Sequence, residues 1–206
     1  LWEGADEGLI VGTKKITVRA VAEPPTDVAI KGPREGFIED VKVNTSLVRR
    51  RLKTGDLRIR FLKVGRRSST FVALCYLDGI ARENVVRGIE EKLGAIDIDA
   101  VPDSSYLADF LSSRPHALIK QVGTTEKPDI FCAKLAEGRV GLLVDGSPIA
   151  LTLPYLFTED LQSAEDYFVP SVRATLTRLL RLLALFAAVY LPAFYVAAQL
   201  FKLQLF

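Results

Sequence analysis

The feature that most constrains this chain is an uncharged run of twenty residues near its C-terminal end. Residues 182–201 read LLALFAAVYLPAFYVAAQLF, in which Gln199 is the one strongly polar side chain. A helix of that length spans about 30 Å, which matches the hydrocarbon core of a bilayer. The run offers no polar face to water, which argues against the competing prediction of a buried amphipathic helix. We therefore predict a transmembrane helix over 182–201.

The charges that flank this run predict its orientation. The basic juxtamembrane segment 169–181 precedes it, whereas Lys202 opens the stretch 202–206, the start of the following loop. The segment carries three arginines: Arg173, Arg178 and Arg181. Because basic residues concentrate on the cytoplasmic side of a membrane helix, we expect residues 1–181 to be cytoplasmic.

The rest of the chain has the composition of a soluble protein. It contains no Met and begins at Leu1 in the middle of a pattern, so we expect a piece of a longer protein. Residues 1–21 read as the tail of an upstream α/β subdomain. Residues 22–36 hold three prolines and two glycines and read as a linker. The second α/β cytoplasmic subdomain then covers 37–168.

Helical and strand periodicities alternate within this subdomain. Helices are predicted over 38–52, over 82–93, from a cap at Asp103 or Ser104 through Leu111, and over 126–136. Strands are predicted over 57–64, 70–77, 139–145 and 148–154. Alternation of this kind is typical of an α/β domain, here with a mixed sheet. The predicted fold is therefore a mixed-sheet α/β subdomain followed by a C-terminal transmembrane helix, within a larger membrane protein.

Few residues have the spacing that catalysis or metal binding requires. Cys75 and Cys132 lie in separate apolar stretches, so we expect buried free thiols in a reducing compartment. The single histidine, His116, cannot build a histidine-rich metal site. Acidic pairs such as Glu159-Asp160 are usually surface charge. The sequence also lacks the glycine-rich phosphate loops and the nucleophile-elbow pattern, so no catalytic residue, metal or cofactor is expected.

A basic run over 49–67, RRRLKTGDLRIRFLKVGRR, contains nine cationic residues and a single acidic one, Asp56. One interpretation is contact with phosphates; the alternative is a solvated face whose countercharges, such as Glu39, Asp40 and Glu90, arrive in the fold. Because a membrane helix lies in the same chain, we favour anionic lipid or a partner subunit as the binding partner of this run, and we do not expect nucleic acid. The candidate contacts are Arg49, Arg50, Arg51, Lys53, Arg66 and Arg67.

The stretch 124–148, TTEKPDIFCAKLAEGRVGLLVDGSP, predicts a helix followed by a strand. Its polar residues and glycines each have a local role: a cap at Thr124 or Thr125, Glu126 and Asp129 against the helix dipole, a stop at Gly138 and a turn at Asp145-Gly146. Because local structure accounts for these residues one by one, we expect the stretch to hold shape and not to perform catalysis.

Six motifs together resemble the GerA family of spore germination proteins. They are GPREGF (32–37), NTSLVRRRL (44–52), TTEKPD (124–129), EGRVGLLVDGSP (137–148), SAEDYF (163–168) and LPAFYVA (191–197). The family includes the A subunits of nutrient germinant receptors and the related stage V sporulation protein AF. This chain departs from the family pattern at Lys127, where arginine is usual, and over 118–121, where Phe-Pro is usual.

The resemblance implies a non-enzymatic receptor component. The family's A subunits have two cytoplasmic α/β subdomains followed by membrane helices. They assemble with a transporter-like B subunit and a lipoprotein C subunit in the spore inner membrane, form homo-oligomers, and couple nutrients to cation release. On this basis six residues are structural or coupling candidates: Arg34, Glu35, Glu126, Asp129, Arg139 and Asp145.

Two further readings stay open. The first is a sensor domain that binds a small nutrient in a cleft between two α/β subdomains, with 22–36 as the hinge. The second, a membrane-anchored hydrolase, is disfavoured because no nucleophile, base and orienting group come together in the sequence.

Overall fold

The computed structural model describes residues 20–24, 32–112, 120–160 and 169–200. Five helices and five strands are described: α1 Val41–Arg51, β1 Leu57–Val64, β2 Thr70–Leu77, α2 Glu83–Ala95, α3 Ser104–Leu111, β3 Gly123–Thr125, α4 Pro128–Ala136, β4 Val140–Val144, β5 Ala150–Leu153 and α5 Ser171–Leu200. A 3₁₀ turn, Phe157–Glu159, follows β5. The predicted upstream tail at 1–21 lies outside the described residues, apart from Ala20 and Val21. His116 and the segment 202–206 also lie outside them.

The strands form a five-stranded sheet in the order β1-β2-β4-β5-β3. This confirms the α/β class with a C-terminal apolar helix. Within that class, the sheet differs in detail from the mixed one expected, since all four described pairings are antiparallel. Short turns join β1 to β2 and β4 to β5, and a short turn can connect antiparallel neighbours only.

Helices cover both faces of the sheet. On one face α2 and α3 bury Ile89 and Leu107 against Leu74 of β2, and on the other α1 and α4 bury Val48 and Phe131 against Ala73. Residues of β2 alternate between these two cores, so the strand is apolar on both sides. The strand predicted over 70–77 is therefore an interior strand of the sheet.

The register gives the sheet two distinct ends. Leu57 pairs with Leu77, Cys75 with Gly141, and Val140 with Leu153. The start of β1, the end of β2, the start of β4 and the end of β5 therefore lie together, and we call this the exit end because β5 leaves the sheet there. The opposite, or far, end holds Val64, Thr70, Val144 and Ala150.

Several predicted boundaries agree with the structure and others shift. The strands at 57–64 and 70–77 coincide with β1 and β2. Helix α1 begins at Val41 and not at 38, because Asp40 caps it by accepting hydrogen bonds from Lys42 N and Val43 N. Asp103 caps α3 as expected, with its carboxylate accepting from Ser105 N at 3.1 Å. Both cysteines are buried and free.

Helix α5 is longer than the predicted span. It begins at Ser171, so the basic segment and the apolar run form one continuous helix with Pro192 inside it. Over Ser171–Gln199 the helix is long and apolar enough to cross a membrane, and 0% of its apolar window is buried within the protein.

Candidate functional site

The linker's last residues are held against α1 by ionic contacts. Glu35 accepts hydrogen bonds from Arg50 and from Arg51, whose Nη2 lies 3.0 Å from Glu35 Oε2. The hydrogen bond from Arg50 lowers the pKa of Glu35. Arg34 is mostly exposed, with its Nε 3.8 Å from Glu23 Oε2. Of the two predicted hinge residues, Glu35 therefore contacts the helix and Arg34 contacts the linker itself.

Asn44 fixes the entry into α1. This residue is 1% exposed, and its side chain accepts from Ile38 N at 2.9 Å and donates to Ile38 O at 2.5 Å. Sequence analysis did not single it out. A sequence signal for this role did exist: Asn44 is a polar residue on the otherwise apolar stripe of the helix, between Val41 and Val48.

The linker is also joined to α4. Phe37 N donates to Glu126 O at 2.7 Å, and the Phe37 ring packs edge-on against Phe131 with centroids 5.5 Å apart. Gly36 N donates to Ala22 O at 2.9 Å, which brings the two described parts of the linker together. Three motifs of the sequence analysis, GPREGF, NTSLVRRRL and TTEKPD, thus meet at one junction.

The predicted threonine cap of α4 is wrong. Thr124 and Thr125 belong to β3, which pairs with β5, and the helix begins at Pro128 with Lys127 as an N-cap that lacks a side-chain hydrogen bond. Thr125 Oγ1 instead accepts from Lys127 N at 3.1 Å. Pairing with β5 takes these threonines into the sheet, a tertiary effect that local capping preferences cannot anticipate.

Two polar atoms in this junction are buried without a hydrogen-bond partner among the described residues: Asp129 Oδ1 and Arg51 Nε. Both groups act on the Cys132 thiol. Burial is the main cause that raises its pKa to about 11; Asp129 raises it further and Arg51 opposes the rise. The end of α1 and the first turn of α4 therefore converge on Cys132, whose thiol stays protonated and unreactive near neutral pH.

At the exit end, a buried ionic cluster holds the chain that follows β5. Glu159 accepts from Arg139 Nη1, and its Oε2 lies 2.7 Å from Lys134 Nζ. Arg139 also donates to Pro154 O. The side chains of Lys134, Arg139 and Glu159 are 12%, 10% and 8% exposed, and we call these three residues the exit cluster. Glu159 is thus not the surface charge expected of an acidic pair.

Asp145 makes a third link to α1. Its Oδ1 accepts from Val41 N at 3.2 Å, and Gly146 N donates to Glu39 O at 2.8 Å. Gly146 has a φ of 89°, as the predicted turn requires. The turn between β4 and β5 is therefore fixed to the start of α1 at the far end of the sheet.

Most of the basic run is neutralised within the fold. Glu35 pairs with Arg50 and Arg51, as described above. At the far end of the sheet, Arg66 pairs with Asp97 at 2.5 Å and Arg67 with Asp99 at 3.7 Å. Arg49 and Lys53 are exposed and have no carboxylate within 4.0 Å among the described residues. These two are the candidates of the run that remain available for an external anion.

The described residues contain no group of three or more His, Cys, Asp and Glu side chains arranged to hold a metal ion. A shallow groove of about 360 Å³ lies between α2 and the end of β5. Its apolar lining includes Val85, Ile89, Leu153, Pro154 and Tyr155.

Comparison with known proteins gives a consistent result. The family model described as "Bacillus/Clostridium GerA spore germination protein" matches residues 1–206. The chain is 40% identical over 195 residues to the "Uncharacterized membrane protein YfkQ" of Bacillus subtilis (strain 168), covering 95% of this chain and 38% of that protein. It is 37% identical over 203 residues to "Spore germination protein KA" of the same organism, covering 98% and 37%.

A third relative in that organism, "Stage V sporulation protein AF", is 33% identical over 205 residues, covering 98% of this chain and 41% of that protein. The chain therefore spans 37% to 41% of the length of these curated relatives. Among solved structures, the N-terminal domain of the A subunit of the Bacillus megaterium spore germinant receptor GerK3 is 38% identical. That match covers 59% of this chain and 97% of the crystallised one, with a TM-score of 0.48.

Proposed function

The chain belongs to the GerA family of spore germination proteins, and from that premise we propose that it serves as the A-type subunit of a nutrient germinant receptor. In this role it is a non-enzymatic membrane component that couples nutrient sensing to ion release during germination. The related stage V sporulation protein AF is the alternative within the family.

The observation that carries the coupling role is the exit cluster. The buried carboxylate of Glu159 forms ion pairs with Arg139 and Lys134, and it also accepts a hydrogen bond from Leu156 N at 2.9 Å. The segment that leads toward α5 is therefore bound to the end of α4 and the start of β4. The linker junction lies on the same helix α4, so a displacement of the linker has a packed route to the segment after β5, which leads along the chain to α5.

The proposed assembly follows from the family. We expect a transporter-like B subunit, a lipoprotein C subunit and further copies of the A subunit as partners. The protein would reside in the spore inner membrane, with residues 1–181 on the cytoplasmic side. The three arginines in the first turns of α5 support this orientation.

A germination assay tests the proposal. In the spore-former that carries the full-length gene, deletion should slow nutrient-triggered cation release and loss of optical density. Complementation with Asp129→Ala or Arg139→Ala should fail to restore the wild-type rate, because each removes a charge from the junction or the exit cluster. Arg87→Ala, at an exposed arginine of α2, is the matched control and should restore it.

Normal germination in the deletion strain under every nutrient tested would refute the receptor role. Wild-type complementation by both Asp129→Ala and Arg139→Ala, at equal protein levels, would refute the coupling role of these residues. Neighbouring genes for B and C subunits would favour a receptor, and a stage V operon would favour the alternative.

The groove beside Pro154 favours a second candidate function, the binding of a small nutrient by this domain. It lies within one domain, whereas the predicted cleft between subdomains involves residues 1–21, most of which lie outside the described residues. A ligand that binds the folded state raises its melting temperature by mass action. Thermal-shift screening of the full chain against amino acids, sugars and nucleosides tests this candidate, and a flat response at millimolar ligand contradicts it.

A further inference from the structure

The exit end of the sheet presents three large apolar side chains to solvent. Ile80, in the turn between β2 and α2, is 55% exposed, and Leu156 and Phe157, just after β5, are 51% and 45% exposed. A Cβ added to Gly138 would lie 3.0 Å from Ile80 O, so the Ile80 turn adjoins the turn before Arg139. Since Arg139 binds Glu159, these apolar residues lie around one corner of the domain.

Cations stand beside this apolar surface. Lys53 lies in the turn that precedes β1, and Arg82 is the N-cap of α2; both are exposed. Neither has a carboxylate within 4.0 Å among the described residues, whereas Asp78 and Glu137 nearby are paired with arginines. Exposed carboxylates, Asp56 and Glu83, lie in the chain beside these cations, so the surface carries charges of both signs. Its apolar side chains and its two basic ones are the groups suited to contact with a phospholipid headgroup layer.

The path of the chain limits how far this surface lies from α5. The polypeptide leaves the sheet at the exit end and enters α5 at Ser171. Ten residues separate Asp160 from Ser171, so this end is at most about 40 Å along the chain from the helix that carries the apolar span. The far end is removed by the additional length of the strands, about 20 Å or more.

We propose that the exit-end surface, formed by Ile80, Leu156 and Phe157 with Lys53 and Arg82, docks the domain on the headgroup layer of the membrane that α5 spans. The apolar side chains enter the layer and the two cations contact lipid phosphates. This inference rests on the proposed membrane role of α5, and it assigns a membrane contact to a domain otherwise connected to the bilayer by the polypeptide alone.

The far end supplies a matched control. Phe71 is 42% exposed, close to the value for Phe157, but it lies at the opposite end of the sheet beside Lys63. The two sites therefore differ in position relative to the exit and very little in chemistry. Both native cysteines are buried, so an introduced surface cysteine labels against a low background.

The experiment uses the full chain in nanodiscs of phosphatidylglycerol and phosphatidylcholine, labelled with an environment-sensitive fluorophore at Phe157→Cys or Phe71→Cys. Lipids that carry a nitroxide near the headgroup should quench the Phe157 probe at least twofold more strongly than the Phe71 probe. Ile80→Cys provides a second probe at the exit end, with the same expectation. Adding Lys53→Glu and Arg82→Glu should reduce quenching at 157, whereas Arg66→Glu and Arg67→Glu at the far end should not.

The outcomes distinguish a failure of the proposed membrane role of α5 from a failure of the docking surface alone. Failure of the protein to stay in the disc after an alkaline wash overturns the membrane role of α5, and with it this proposal. Stable insertion with equal quenching, or none, at exit-end and far-end probes overturns the docking surface and leaves the proposed function intact.

Discussion

At the residue scale, the polar groups that organise this domain act between segments that are distant in sequence. Asn44 binds the backbone of Ile38, Glu35 binds two arginines of α1, and Glu159 binds two cations from α4 and the start of β4. The local sequence predicted surface charge for Glu159 and indicated no partner for Asn44 or Glu35. These contacts therefore hold segments that are distant in sequence in fixed relative positions.

Glu159→Gln should destabilise the domain strongly. The substitution removes the buried carboxylate shared by the nearly buried side chains of Lys134 and Arg139. They keep the more exposed Glu137, whose Oε2 lies 3.9 Å from Lys134 Nζ and 3.4 Å from Arg139 Nε. Breaking a buried ion pair costs about 3–5 kcal/mol of unfolding free energy. Urea unfolding of the full chain in detergent, followed by circular dichroism, measures the loss.

Glu83→Gln is the control for this substitution. Glu83 lies in the first turn of α2 and is exposed, so its replacement should change the unfolding free energy by less than about 0.5 kcal/mol. Equal effects of the two substitutions would show that the exit cluster does not stabilise the fold.

At the element scale, the packing of α4 on the sheet depends on a glycine in β4. A Cβ at Gly141 would overlap the ring of Phe131, which is fully buried between α4 and the sheet. The strand thus carries a glycine at its second position, where side-chain packing alone would favour a larger residue. Close approach of the helix explains its presence.

Gly141→Ala should therefore lower stability by about 1–3 kcal/mol, because the methyl group overpacks the core. Gly88→Ala, in α2 where no atom lies within 4 Å of the new Cβ, should raise it by about 0.5–1 kcal/mol. Combining Gly141→Ala with Phe131→Leu should recover part of the loss. Thermal unfolding of the three variants decides the point, and an unaltered Gly141→Ala protein would contradict the packing argument.

Element boundaries were predictable where the signal was local. Strands β1 and β2 matched their predicted ranges because an eight-residue run of β-favouring side chains is itself a strong pattern. Strand β3 has three residues, Gly-Thr-Thr, and no periodicity to detect. The antiparallel order and the convergence of three motifs on α4 depend on contacts between distant segments, which one sequence read alone does not specify.

At the scale of the whole molecule, the two ends of the sheet hold different segments of the chain. The far end of the sheet fixes the turn between β4 and β5 to α1, whereas the exit end carries the cluster that binds the segment leading to α5. The membrane helix was the strongest single prediction, since its length and composition are properties of the sequence alone. The contacts that hold the segment after β5 required the structure.

The orientation of the molecule can be measured by accessibility. In protoplasts that express the protein, Ser46→Cys, on the exposed face of α1, should resist a membrane-impermeant maleimide until the cells are permeabilised. Gln204→Cys, beyond α5, should react in intact cells. The unmodified protein, with two buried thiols, is the background control. Reversed labelling would place residues 1–181 outside the cytoplasm.

The continuity of α5 has a mechanical consequence. No break separates Ser171 from the apolar run that starts at 182, so the basic segment acts as a rigid arm about 16 Å long. In the proposed membrane role, a tilt or rotation imposed on the first turn of α5 is therefore transmitted along the continuous helix to the bilayer. Within the run the first place for the motion to be absorbed is Pro192, which removes a backbone hydrogen bond and permits a kink. In the proposed orientation, the domain that precedes α5 therefore sets the tilt of the helix as far as Pro192, and this coupling weakens beyond that residue.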